Sequence, residues 1–316
     1  MIFKIDHNYA TTISGAILSD LCCKMMEKGH FIDCDGKTFA LIAQSIRDNA
    51  STTQSECFKK FKGFSLSGCL TRELRTYLTT INVDGNAYSL DDLERVICKE
   101  SCVLLENGPY EWEVYKTMMS VFQRDRQFGN LFQLLVLARN KGFLASLNCG
   151  GYGMVKPMIE QQERGVYENI FSEKSCIVFD RDTDDDVSFD SNKNALFQMF
   201  CNKKSDDVIE QDVYTLVQSP YHWHMWYKRE IENYLTNNHY EENGVDTSNF
   251  PRNLQQRDYY KITPETAPGY QKAKISSVAK KMSKADYDSM GIKTFFINGV
   301  NMSEIQLFLL KLVKII

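Results

Sequence analysis

From Cys102 onward, short apolar runs alternate with stretches of helical spacing, and this alternation constrains the fold more than any other feature of the chain. The run CVLLE (102–106) reads as a strand. Gly108 and Pro109 then open a helix, proline being suited to the first helical turn. Leu131 to Asn140 is a second helical stretch, and FLASLN (143–148) a second strand. The turn Gly150-Gly151-Tyr152-Gly153 leads into a helix over about 154–164. CIVFD (176–180) is a third strand, closed by an acidic turn. Residues 192–202 read as a helix and VYTLVQ (213–218) as a fourth strand. Strands that are apolar throughout are buried on both faces. Separated by helices, they predict an α/β fold, a parallel sheet flanked by helices. With 43% hydrophobic residues over 316 positions, there is ample material for a core.

The flanks read differently. Residues 1–100 are expected to be a mostly helical structural or partner-binding region. Ile13, Ile17, Leu18, Leu21 and Met25 recur at helical spacing, and Gly29 supplies a stop. Further helices are expected at 37–49, 67–81 and 89–100, the last capped by Ser89 with Asp91 and Asp92 in its first turn. The sheet-forming segment occupies 101–236 and ends in a short helix, YKREIENYL (227–235). In the remaining part, 237–316, a polar stretch reaching to residue 270 reads as a long loop or mobile flap. Helices at 271–284 and 303–315 close the chain. The apolar tail Ile305–Ile316 is too short to span a bilayer and is interrupted by Lys311 and Lys314, so it reads as a helix docked on the core. No basic stretch followed by an apolar run opens the chain, so no signal peptide is expected. The ten cysteines include no CxxC pair, which leaves buried free thiols in a reducing cytoplasm as the expectation.

The chemistry concentrates where a parallel sheet gathers ligands, at the carboxyl ends of its strands. Glu106 ends the first strand, the glycine turn follows the second, and Asp180 and Asp182 follow the third. Where a strand breaks into a loop, aspartates two apart can turn toward one point. Two or three hard oxygens at one point suit Mg²⁺ or Mn²⁺. A buried Glu106 beside them would hold protons more tightly than usual and could exchange one with a metal-bound water or a leaving oxygen. Asp184, Asp185 and Asp186 read as solvated charges, with one of them a candidate to join the site. They are not a calcium loop, because position six is Asp185 rather than glycine and position twelve is Ser191 rather than glutamate. Lys228, Glu230 and Glu232 are further candidates, lysine for neutralising phosphate charge. His222 and His224 have zinc-type spacing but aromatic surroundings that favour packing. Tyr221, Trp223, Trp226 and Tyr227 read as packed aromatics first and as base-stacking residues second. Lys272, Lys274, Lys280, Lys281 and Lys284 form a basic stretch, a solvated face or a phosphate contact. The net charge of −4 means that nucleic acid would have to be held by such a local surface or by bound metal.

The order of these motifs resembles the Toprim domain, the metal-dependent phosphodiester module of topoisomerases, primases and OLD-type nucleases. VLLENGPYEWEVYK is similar to its strand–glutamate–turn–helix opening, FDRD to its Asp-x-Asp motif, NCGGYG to its glycine-bearing turn, and KREIENYL to a helix near its end. The resemblance covers roughly 102–235. It implies that Glu106, Asp180 and Asp182 bind Mg²⁺ or Mn²⁺ and act in catalysis with Lys228, supported by Glu111, Gly151, Asp184, Glu230 and Glu232. The family's opening often reads Glu-Gly-x-x-Asp, whereas here Glu111 is the nearest supporting acid. The resemblance further implies a nuclease acting on DNA or a structured RNA such as tRNA, of the kind found as toxic effectors in bacterial antiphage defence. No GxxxxGK(S/T) sequence is present, so any ATPase or sensor would be a separate partner, and a homo-oligomer is the other expected assembly; no membrane association is expected. The rival expectation is a regulatory or scaffold subunit with a catalytically idle Toprim-like fold. Primase-like polymerisation is disfavoured because the accessory segments are missing.

Overall fold

The computed structural model describes residues 1–49 and 70–316. Three parallel strands lie in the N-terminal part: β1 (Ile2–Ile5), β2 (Phe31–Asp33) and β3 (Thr80–Val83), in the order β2-β1-β3. This corrects the reading of 1–100 as mostly helical. The expected helices form at Gly15–Glu27, Gly36–Asn49 and Leu90–Cys98, but they accompany a sheet. The helix expected over 67–81 is the short Arg72–Tyr77, after which the chain enters β3; residues 67–69 lie outside the described residues. Ile2, Phe3, Ile5, Ile81 and Val83 are all buried. Strands of three or four residues are too short to show a period of their own beside strong helical patterns.

The main sheet has four parallel strands, β4 (Ser101–Leu105), β5 (Leu144–Asn148), β6 (Ser175–Phe179) and β7 (His222–Met225), in the order β5-β4-β6-β7. Every residue of β4 and β6 is buried, as strands covered on both faces require. The chain leaves β4 toward one edge and β6 toward the other. Right-handed crossovers in opposite directions place their helices on opposite faces. Pro109–Phe122 packs on Gly129–Asn140, and Tyr152–Glu163 packs on Asn194–Cys201. The first pair leaves bare the face beneath β6 and β7, and the last helix, Glu304–Ile315, fills it, touching both strands and Gly129–Asn140. That helix is capped by Ser303 and Gln306, each side chain accepting from the other's backbone N–H, at 3.3 and 2.7 Å. Even its Lys311 is fully buried.

Four further expectations are corrected. VYTLVQ is not a strand: Val213 ends a helical turn, and Val217 is exposed, while the edge strand is HWHM, whose Trp223, His224 and Met225 are buried. YKREIENYL is not a helix; Glu230 is extended and only Ile231–Tyr234 makes a single 3₁₀ turn. The stretch to residue 270 is packed: Tyr240, Val245, Phe250, Ile262, Ala267 and Tyr270 are buried, and the Arg257 guanidinium lies 4.4 Å over the Phe250 ring. The helix expected at 271–284 is two, Lys274–Lys281 and Lys284–Ser289, with Ser283 capping the second. A hairpin, β8 (Thr294–Ile297) and β9 (Val300–Ser303), was not anticipated. Among the described residues no helix is long and apolar enough to cross a membrane. Cys22, Cys102, Cys149 and Cys176 are buried free thiols, and burial pushes Cys176 up to about 12, which keeps it unreactive.

Candidate active site

In a sheet of this order the topological switch lies between the first and third strands in sequence, here β4 and β6. Glu106 leaves the end of β4 and Asp180 the end of β6. The Glu106 Oε2 accepts the Asp180 N–H at 3.1 Å, so one carboxylate spans the gap between the two strand ends. Asp180 is held on both oxygens: Oδ1 accepts from the Ile231 N–H at 3.2 Å and Oδ2 from the Asn107 amide at 3.3 Å. Asp182 has φ +61°, a left-handed conformation that aspartate tolerates better than most residues. Its N–H and that of Arg181 both donate to the Arg229 carbonyl at 3.0 Å. The loop beyond is pinned by Arg181, buried, which donates to the carbonyls of Asp186 and Ser188 and stacks 4.7 Å over Phe189.

Lys193 is the residue sequence reasoning missed. It ends the 3₁₀ turn Ser191–Lys193 and is fully buried. Its ammonium lies 3.1 Å from Glu106 Oε2 and 2.7 Å from Asp182 Oδ2, and it donates to the Asp180 carbonyl. Burial alone would lower its pKa, but Glu106, Asp182 and Asp180 together outweigh that and raise it. In the sequence it is one more lysine at a helix entrance, and no motif marks it.

A second group adjoins the first. Glu111, on the helix that follows β4, and Glu232, on the 3₁₀ turn, each lie 3.2 Å from the Lys272 ammonium. The Tyr270 hydroxyl donates to Glu232 Oε1 at 2.8 Å. Glu230 is 3.4 Å from Arg229 Nε. On a helix Glu230 and Glu232, two apart, would face different directions; the extended backbone at Glu230 followed by a tight turn brings both toward the cluster. Lys272, read with a basic stretch, belongs to the site, while Lys274 donates to the Gly244 carbonyl and Lys280, Lys281 and Lys284 face Glu113, Glu242, Asp125 and Asp288.

Other candidates are placed elsewhere. Lys228 is not in this cluster: it pairs with Asp258 at 2.6 Å and donates to the Met290 carbonyl. Asp184 is exposed and pairs with Arg229. Gly151 has a supporting role, its N–H donating to the Glu106 carbonyl at 2.6 Å with φ +118°, which favours glycine. His224 packs edge-on against Trp226 at 4.7 Å, and Trp223 stacks with Phe179 and Phe200 at 5.8 and 5.2 Å. Trp226 donates to the Tyr115 hydroxyl at 2.9 Å. These aromatics form core.

The electrostatics follow from crowding carboxylates in a desolvated place. Burial pushes Glu106 up, Lys193 opposing and Asp182 adding. Burial raises Glu111 to about 7, against Lys272 and with Glu232. Asp180 is raised by burial and by Glu111, and Glu230 is raised to about 7 by burial and by Glu232. Glu232 Oε2 is buried without a hydrogen-bond donor. All-oxygen donors, an excess of carboxylates over cations and an undonated buried carboxylate oxygen fit a hard divalent ion in chemistry. Among the described residues no three His, Cys, Asp or Glu side chains by themselves form a ligand set; in the first group the Lys193 ammonium sits between them.

No family model, no curated protein and no solved structure matches this chain.

Proposed function

We propose that the protein is a Mg²⁺- or Mn²⁺-dependent nuclease whose site is the carboxylate cluster at the β4–β6 switch point. The observation that carries this reading is the meeting of Glu106 and Asp180 across the gap between the strand ends, with Asp182 on the same lysine. Glu106, Asp180 and Asp182 would hold the ion. A bound ion would supply positive charge at the scissile phosphate and a water of lowered pKa. Glu106, its proton affinity raised by burial, is suited to hold and return a proton. Lys272, a third exposed, is better placed than Lys228 to neutralise a phosphate oxygen. The Toprim-like order of motifs supports DNA or a structured RNA such as tRNA as substrate. It also supports a toxic effector of antiphage defence, acting in the cytoplasm and restrained by an ATPase or sensor partner.

One observation favours the rival reading, an idle Toprim-like scaffold: a buried lysine already pairs with two of the three supposed ligands. The test is to incubate the purified chain with DNA and with tRNA, with Mg²⁺ and with Mn²⁺. The nuclease reading expects metal-dependent cleavage that Asp180→Ala abolishes. Equal cleavage by both proteins sinks the mechanism, and no cleavage by either supports the scaffold.

A further inference from the structure

Three oxygens converge on the Lys193 ammonium: Glu106 Oε2 at 3.1 Å, Asp182 Oδ2 at 2.7 Å and the Asp180 carbonyl. They come from two strand ends and a loop, so the point they define is built by the tertiary fold and not by local turn geometry. Two of the three are ionised or ionisable acids, the third a carbonyl, and all are hard donors of the kind a divalent cation selects. The surroundings exclude water: Lys193 is fully buried, Glu106 is 3% exposed, and the Phe179 ring lies 5.4 Å from the ammonium. The wall is open on one side, where the Asp182 side chain is 29% exposed.

We infer that Lys193 is an intramolecular competitor for the cation: its ammonium sits in the seat formed by Glu106, Asp182 and the Asp180 carbonyl, and a divalent ion enters only as the lysine leaves. This rests on the reading of Glu106 and Asp182 as cation ligands. Two positive charges sharing three oxygens in a desolvated site would repel strongly, so joint occupancy is disfavoured. The ammonium also satisfies the carboxylates in the ion's absence, so the strand ends stay assembled without metal. Lys193 thus sets how much free metal is needed to load the site. The exposed side of the seat is the one bounded by Asp182, next to the acidic loop that Arg181 holds.

The experiment is a Mn²⁺ titration of the full chain, following free Mn²⁺ by electron paramagnetic resonance, for the wild type, Lys193→Met and Lys193→Arg. The methionine variant keeps the side chain's bulk without its charge and is expected to bind Mn²⁺ at least about tenfold more tightly. The arginine variant is expected to stay within about twofold of wild type. Equal or weaker binding by Lys193→Met overturns the inference. Should that variant fail to fold, the wild type answers instead. Acylation of lysines by an N-hydroxysuccinimide ester, read by peptide mass spectrometry, is expected to modify Lys193 at least about tenfold faster in saturating Mn²⁺ than in its absence. Unchanged protection overturns the proposal. Cleavage assays on the same proteins separate the two readings. Tighter Mn²⁺ binding without cleavage leaves the lysine seat standing and removes the nuclease. Cleavage with no change in Mn²⁺ affinity does the reverse.

Discussion

Replacing Lys311 with methionine tests how the core beneath the site is held. Lys311 lies on Glu304–Ile315, fully buried, donating to the Val213 carbonyl at 3.0 Å and the Trp223 carbonyl at 2.7 Å. Burial lowers its pKa from 10.5 to about 7, with Cys176 and Glu304 opposing. At about 1.4 kcal/mol for each pH unit, that change corresponds to roughly 4–5 kcal/mol against the folded state. The sign follows from proton counts. Below about pH 7 both states carry the proton and the penalty is complete. Between about pH 7 and 10.5 the folded lysine is neutral while the unfolded one is still charged, so the penalty fades as pH rises. Methionine has similar length and no charge, but loses two hydrogen bonds of about 1 kcal/mol each. Lys311→Met is therefore expected to be about 2 kcal/mol more stable than wild type at pH 7, with the gain gone by pH 9.5. Urea unfolding at both pH values, followed by the fluorescence of the buried Trp223 and Trp226, measures it. A stability difference that is the same at both pH values would refute the reasoning, because it would mean that the ammonium is not desolvated.

Lys272→Met removes the cation between buried Glu111 and Glu232 and is expected to cost about 3 kcal/mol at pH 8. The loss should shrink at pH 5, where Glu111, already raised to about 7, is protonated; denaturant titration at the two pH values decides. Lys228→Met breaks a buried pair with Asp258 and should lower stability by a similar amount, yet leave Mn²⁺ affinity within about twofold, since it lies outside the carboxylate cluster. Arg181→Lys loses the planar fork that holds the Asp186 and Ser188 carbonyls; limited proteolysis should then cut the loop between residues 183 and 190 at least about fivefold faster.

Much of the main sheet was legible because its strands are long apolar runs set between helical stretches. CVLLE, FLASLN and CIVFD predict β4, β5 and β6 to within a residue or two. The fourth strand was misplaced because HWHM reads as aromatic packing, while the more strand-like VYTLVQ is drawn into a turn and an exposed stretch. The closing hairpin has its own local signal in the sequence: Asn298 and Gly299, at φ +53° and +80°, form the tight turn that Asn-Gly favours.

The sequence by itself determined the α/β class, the strand ends at Glu106 and Asp180, and the acidic character of the place where they meet. Those follow from local pattern, since a carboxylate directly after a buried parallel strand must lie at the carboxyl end of the sheet. Only the tertiary structure decided which cations join them. Lys193 and Lys272 lie far along the chain from the glutamates they pair with, and Lys228, nearer in sequence to Glu232, is turned away to Asp258. A lysine's partner depends on where the backbone carries its long flexible stem and on which carboxylate is desolvated there. Neither is written in residue spacing, and both arise only when the strand order brings β4 beside β6.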